Sequence, residues 1–194
     1  MKKINLPPPS AELINKIKQS AADESVPFHS NPQNNGLSTA FFFAPEYVNK
    51  QVITEYQQFF KHKFVTLIGI MKNNTDTPKS MAPHTDRART LAINYYVDLG
   101  GDHVETIFYS LCKKADGLPN NNVSLVDAGE IKKLIIFDKN WYAFNVDQCH
   151  SVKDVITTRI FFAIRFLNES GEEVSHYNLD DLICDYSEII GEDI

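Results

Sequence analysis

The sequence predicts a mainly β protein of the sandwich or jelly-roll class, with helices confined to its ends. Three observations carry this. Seven short stretches rich in β-branched and aromatic residues follow one another between Phe64 and Phe166. Turn formers separate them: Asp98-Leu99-Gly100-Gly101, Asp116-Gly117-Leu118-Pro119-Asn120, Asp127-Ala128-Gly129 and Asp138-Lys139-Asn140. Helical periodicity occurs only before and after this region. Many short strands at regular spacing bury their apolar faces by packing as layered sheets.

In chain order, Pro7-Pro8-Pro9 is a stop and Ser10 an N-cap. Leu13, Ile14 and Ile17 then recur at helical spacing, so residues 10–20 form a short helix. Residues 21–36 hold Ser, Asn, Pro and Asp without periodicity and read as a loop. Ala44-Pro45-Glu46 opens a second helix whose stripe is Tyr47, Val48, Val52, Ile53, Tyr56 and Phe60. Strands follow at Phe64–Ile70, Thr90–Val97, Val104–Leu111, Val123–Val126, Leu134–Phe137, Tyr142–Val146 and Thr157–Phe166, and Leu179–Ile190 closes the chain as a further helix. The expected organisation is one domain. Residues 1–62 are a mostly helical support, 63–167 the β core and 168–194 a C-terminal extension.

Composition narrows the function. The chain has 194 residues, 43% of them apolar, enough for one sizeable core. A formal net charge of −6, without clustered Lys and Arg, argues against nucleic acid as a partner. The longest apolar stretch, Ile160–Ile164, is too short for a bilayer, and Leu6-Pro7-Pro8-Pro9 stands where a signal peptide needs an apolar helix. Cys112, Cys149 and Cys184 are odd in number and lack metal-ligand spacing, which reads as a reduced, cytoplasmic protein.

His84-Thr85-Asp86 precedes the strand expected from Thr90. In extended chain, side chains at i and i+2 point the same way, so an imidazole and a carboxylate converge while Thr85 faces elsewhere. With a distant histidine they make the two-histidine, one-carboxylate facial triad, which leaves three positions open on Fe(II). Among six histidines, one such tripeptide carries little weight alone, and His103-Val104-Glu105 offers the same geometry with a longer carboxylate. The later chain favours the first. Gln148-Cys149-His150-Ser151-Val152 places His150 66 residues beyond His84, followed by a turn-like Lys153-Asp154 and the strand Thr157–Phe166. Alternation puts Arg159, Phe161, Ala163 and Arg165 on one face of that strand and Ile160, Phe162, Ile164 and Phe166 on the other. Two arginines on so apolar a strand call for an anionic partner, because a buried unpaired guanidinium is costly. A dicarboxylate matches the guanidinium bidentately. The alternative is an edge strand whose arginines reach water.

In this order, His84-Thr85-Asp86, Asn94-Tyr95-Tyr96-Val97-Asp98-Leu99-Gly100-Gly101, Phe137-Asp138, His150-Ser151-Val152 and Arg159-Ile160 resemble the iron(II)/2-oxoglutarate-dependent oxygenase superfamily. The likeness covers about residues 80–167 and is nearest to small prolyl-hydroxylase-like and phage-type members. It implies a double-stranded β-helix with helices packed outside and a metal at the mouth. His84, Asp86 and His150 would bind Fe(II), and Arg159 would hold the far carboxylate of 2-oxoglutarate, with Arg165 as the alternative anchor. It also implies consumption of dioxygen and 2-oxoglutarate, release of succinate and carbon dioxide, and hydroxylation of a small molecule or an amino-acid side chain.

Asn94 and Tyr96 share a strand face, from which either could hydrogen-bond 2-oxoglutarate; Tyr95 takes the other face. Arg87 and Arg89 flank the metal motif and could steer an acidic substrate. Trp141 reads as packing, Cys149 as a small buried residue turned away from the metal, and His29, His62 and His176, which have no matching partners for a metal site, as surface or loop residues. Residues 21–38 and 98–104 are candidate lids. Two rival readings remain: a cupin-like metal enzyme without 2-oxoglutarate, and a non-catalytic jelly-roll binding protein.

Overall fold

The structure, a computed structural model, describes residues 1–30, 37–86, 90–114 and 125–194. Its elements are β1 (Lys2–Ile4), α1 (Ala11–Ala21), β2 (His29–Ser30), β3 (Leu37–Phe43), α2 (Glu46–Tyr56), β4 (Phe64–Asn73), β5 (Lys79–His84), β6 (Leu91–Leu99), β7 (Glu105–Tyr109), β8 (Cys112–Lys114), β9 (Leu125–Ala128), β10 (Ile131–Ile136), β11 (Trp141–Asn145), β12 (His150–Val155), β13 (Thr158–Phe166), α3 (Leu179–Asp185) and β14 (Ile190–Asp193).

The two N-terminal helices stand where periodicity and end signals put them. The Ser10 side chain accepts from the Leu13 amide at 3.1 Å, which satisfies one of the open N–H groups of α1 and is worth about 1 kcal/mol. Pro45 sits at the N-cap of α2, which starts at Glu46. Val48, Val52 and Tyr56 turn inward, whereas Tyr47 is exposed. The Pro7 carbonyl accepts from Tyr56 Oη and Trp141 Nε1, which ties the proline segment to the core.

The strands form an eight-stranded sheet in the order β14-β1-β11-β6-β13-β4-β3-β2, a four-stranded sheet β10-β7-β12-β5 and the hairpin β8-β9. Strand pairing is antiparallel throughout the described residues. This is a mainly β architecture of two facing sheets with helices outside. Alternation divides its core in two. Ile160, Phe162, Ile164 and Phe166 of β13 pack with Leu13, Val52 and Leu182 on the helix side. Phe161 turns to the other side, where Tyr96, Phe144, Phe108 and Val152 fill the space between the sheets.

The first 62 residues are less purely helical than expected, since β1, β2 and β3 belong to the large sheet. The tail also differs: α3 ends at Asp185, and β14 pairs with β1 at the sheet edge. His62, in the loop before β4, is half-buried: its Nδ1 meets Tyr186 Oη at 2.5 Å and its ring packs on Phe166 and Tyr177. Trp141 is 1% exposed core, and Tyr95 packs beside it. Cys149 is buried as expected but disulfide-bonded, contrary to a fully reduced reading; Cys184 is a free, exposed thiol. No helix among the described residues is long and apolar enough to cross a membrane.

Candidate metal centre

Strand β5 ends at His84, β12 begins at His150, and the ladder between the strands pairs these two residues directly. Their ring centroids are 4.3 Å apart. The metal motif therefore closes a strand rather than merely preceding one. Asp86 lies two residues beyond, where its amide donates to the Val146 carbonyl at 2.8 Å and draws the chain toward the end of β11. Its Oδ1 is 3.8 Å from His84 Nε2. One ligand-capable atom from each of His84, Asp86 and His150 lies within 4.8 Å of the other two. His103 is exposed, and His103 and Glu105 belong to no such cluster among the described residues.

Hydrogen bonds choose which ring nitrogen faces the cluster. Nδ1 of His84 donates to the Ala82 carbonyl and Nδ1 of His150 to the Gln148 carbonyl, each at 2.9 Å. A carbonyl can only accept, so each neutral imidazole carries its proton on Nδ1 and its lone pair on Nε2. Backbone acceptors of this kind orient a metal-binding imidazole and raise its basicity. The Phe108 ring stacks near His150, which is 7% exposed.

The three residues line a pocket between the sheets, with about 460 Å³ of atom-free space including its open mouth. Asn94 and Tyr96 of β6, Thr106 of β7 and Arg159 of β13 line it too. Arg159 is 1% exposed. Its Nη2 donates to Thr106 Oγ1 at 3.3 Å, and its guanidinium carbon lies 4.6 Å from the Tyr96 ring centre. Nε and Nη1 are buried without a hydrogen-bond partner, as is Asn94 Oδ1. Burial pushes the arginine below its ordinary pKa and Tyr96 opposes that shift. The guanidinium nonetheless remains a cation.

Behind Arg159 the chain passes very close. Gly100 has φ +80°, and a Cβ there would stand 2.9 Å from Arg159 Cβ. The Gly100 carbonyl accepts from the Ile156 and Thr157 amides, both at 2.9 Å. Gly100 therefore packs directly behind Arg159.

Arg165 goes elsewhere. Its Nε donates to Glu173 Oε1 at 2.6 Å, its Nη2 contacts the same carboxylate, and it does not line the pocket. Arg87, Arg89 and part of the candidate lid 21–38 lie outside the described residues. Thr106 escaped the sequence reading because a threonine in a β-strand is ordinary; its bond to Arg159 is visible only once β7 and β13 face each other. Phe41, Met71 and Met81 also line the pocket and were unmarked by any motif.

No family model and no curated protein matches this chain. Among solved structures, it is similar to a Pseudomonas putida prolyl-4-hydroxylase at 11% identity and a TM-score of 0.47, over 86% of this chain and 91% of that one. It is similar to E. coli ycfD at 9% identity and a TM-score of 0.42, over 69% of this chain but 35% of that one. It is similar to an oxidoreductase of the 2OG-Fe(II) oxygenase family from Burkholderia pseudomallei at 8% identity and a TM-score of 0.40, over 77% and 76% of the chains. Residue roles in this chain rest on its own geometry.

Proposed function

We propose that the chain is an iron(II)- and 2-oxoglutarate-dependent oxygenase, with His84, Asp86 and His150 as the metal ligands and Arg159 as the anchor for the cosubstrate's far carboxylate. One observation carries the reading. A fully buried guanidinium with two unpartnered nitrogens shares a pocket with a two-histidine, one-carboxylate cluster. A buried cation of this kind costs several kcal/mol unless an anion pairs with it, and among the described residues it meets Thr106 and Tyr96 but no carboxylate. A dicarboxylate that chelates a metal at one end and meets Arg159 at the other resolves both features.

The donor set fits Fe(II): two imidazole nitrogens and one carboxylate oxygen would hold it, and three protein donors would leave room for the cosubstrate. When bound, iron supplies the redox chemistry that converts 2-oxoglutarate, dioxygen and a substrate C–H into succinate, carbon dioxide and a C–OH product. The protein's own residues position and shield. Ala82 and Gln148 carbonyls hold the imidazoles with Nε2 turned to the cluster. Thr106 accepts from Arg159 and keeps its own O–H available to donate to the carboxylate. Asn94 lines the same pocket, and Tyr96 stacks on the guanidinium. Phe108 and Phe144 keep water from the histidine wall.

Arg165, held by Glu173, belongs to the scaffold in this reading. Hydroxylation is the expected outcome on a small-molecule or peptidyl substrate. The test is succinate formation from 2-oxoglutarate under air with added Fe(II) and ascorbate, which supplies the two electrons that a substrate C–H would otherwise give. We expect turnover in the parent protein and none in His150→Ala. A parent that binds iron yet never consumes 2-oxoglutarate refutes the proposal and favours the metal enzyme without this cosubstrate.

A further inference from the structure

Strand β3 adds a wall that the metal chemistry does not use. Side chains at Leu37, Thr39, Phe41 and Phe43 share one face, and Leu37 packs between the sheets; Ala40 and Phe42 pack on the helix side. Phe41 is nevertheless 46% exposed and Phe43 63% exposed. Phe41 lines the pocket of the histidine cluster, and its ring centroid is 6.1 Å from that of Phe161. Gly69 lies between them in the ladder, paired with Phe41 on one side and Phe161 on the other. A Cβ at Gly69 would stand 2.2 Å from the Phe161 ring, so the phenylalanine lies over the glycine. Met71 and Met81 extend the same lining.

We infer that the substrate presents an uncharged, apolar group to the metal, aliphatic or aromatic, packed against Phe41, Phe161, Met71 and Met81, with its outer portion lying on Phe43. This inference rests on the oxygenase reading of the site. Under that reading Asp86 is committed to the metal and Arg159 to the cosubstrate, while Arg165 is held by Glu173. A charged reacting group would lose its hydration against this wall and gain no ion pair from the described residues that form it. Two methionines give the wall a pliable, polarizable surface that adapts to an apolar shape. Two partly exposed phenylalanines in one row, continuous with a buried pocket, form an entrance rather than isolated surface residues.

The test is anaerobic calorimetry on protein loaded with Fe(II) and 2-oxoglutarate, titrated with four probes: N-acetyl leucinamide, N-acetyl phenylalaninamide, N-acetyl lysinamide and N-acetyl glutamic acid amide. The apolar probes are expected to bind at least about tenfold more tightly than the charged ones. Phe41→Ala and Phe43→Ala, both at partly exposed positions and each checked by circular dichroism for a retained fold, should weaken apolar binding several-fold. A charged probe binding as tightly, no apolar binding, or unchanged apolar affinity in both variants overturns the inference. Titration of 2-oxoglutarate alone separates the two levels: its failure in the parent refutes the oxygenase reading, and its success alongside a failed probe series refutes only the apolar substrate.

Discussion

His84 and His150 face each other at one directly paired position of β5 and β12, and each Nδ1 is held by the carbonyl two residues before it. Two imidazoles far apart in sequence thus present matching lone pairs from neighbouring strands, and Asp86 closes the cluster from the strand end. Removing one imidazole should therefore be felt at the metal and little in the fold. His84→Ala and His150→Ala are expected to weaken Fe(II) binding by more than about 100-fold, with unchanged far-UV circular dichroism. Retained affinity in either variant assigns the metal to other residues.

The two arginines of β13 should separate cleanly. Arg159→Ala is expected to weaken 2-oxoglutarate binding by about 2–5 kcal/mol. Arg165→Ala should leave that affinity unchanged and lower unfolding stability by about 1–3 kcal/mol, because it strands Glu173. Calorimetry and denaturant unfolding on both variants decide this. The larger loss of cosubstrate affinity in Arg165→Ala would reverse the assignment.

Arg159 should also burden the protein without its ligands. Two buried nitrogens lack partners, so Arg159→Met is expected to hold or raise stability by up to about 2 kcal/mol while it loses 2-oxoglutarate binding. Marked destabilisation of this variant would mean that the guanidinium serves the fold.

How much of this was legible follows from the residues concerned. The helices were readable from Ser10 and from the spacing of Leu13, Ile17, Val48 and Val52, because caps and period are local. The two faces of β13 were readable because alternation survives burial on both sides. Strand β5, Lys79-Ser80-Met81-Ala82-Pro83-His84, was not: it is an edge strand with a proline and no apolar alternation. Strand β12 was hidden by Lys153-Asp154, whose Asp154 has φ 61° and reads as a turn. The His-x-Asp pair, the distal histidine and Arg159 carried chemical type and order in the sequence. The Glu173 partner of Arg165, the Thr106 bond and the disulfide at Cys149 depend on tertiary placement, which spacing does not encode.

Gly69→Ala should disturb the pocket through Phe161. The added methyl group has no room beneath the ring, so the ring must move. A stability loss of about 1–3 kcal/mol is expected, together with weaker substrate binding. Unchanged unfolding and unchanged binding would contradict the close packing between β4 and β13.

Buried tyrosines predict an alkaline limit. Burial raises the pKa of Tyr56, Tyr95, Tyr142, Tyr177 and Tyr186, assisted at Tyr142 and Tyr177 by bonds to Asp138 and Asp185. Their contribution to stability is complete below about pH 10, the unfolded value, and declines above it, where the unfolded chain has released protons that the folded one keeps. Tyrosinate absorbance should rise in a late step that coincides with loss of near-UV circular dichroism. Ionisation of all eight tyrosines as ordinary phenols in a still-folded protein would contradict this.

The most direct measurement is anaerobic visible absorption of the apoprotein titrated with Fe(II) and then with 2-oxoglutarate. A charge-transfer band is expected only when both are present, saturating at one equivalent, absent in His150→Ala and requiring far more 2-oxoglutarate in Arg159→Ala. A parent protein that binds Fe(II) but shows no band at saturating 2-oxoglutarate, or a band unaffected by either substitution, would contradict a shared site for metal and cosubstrate.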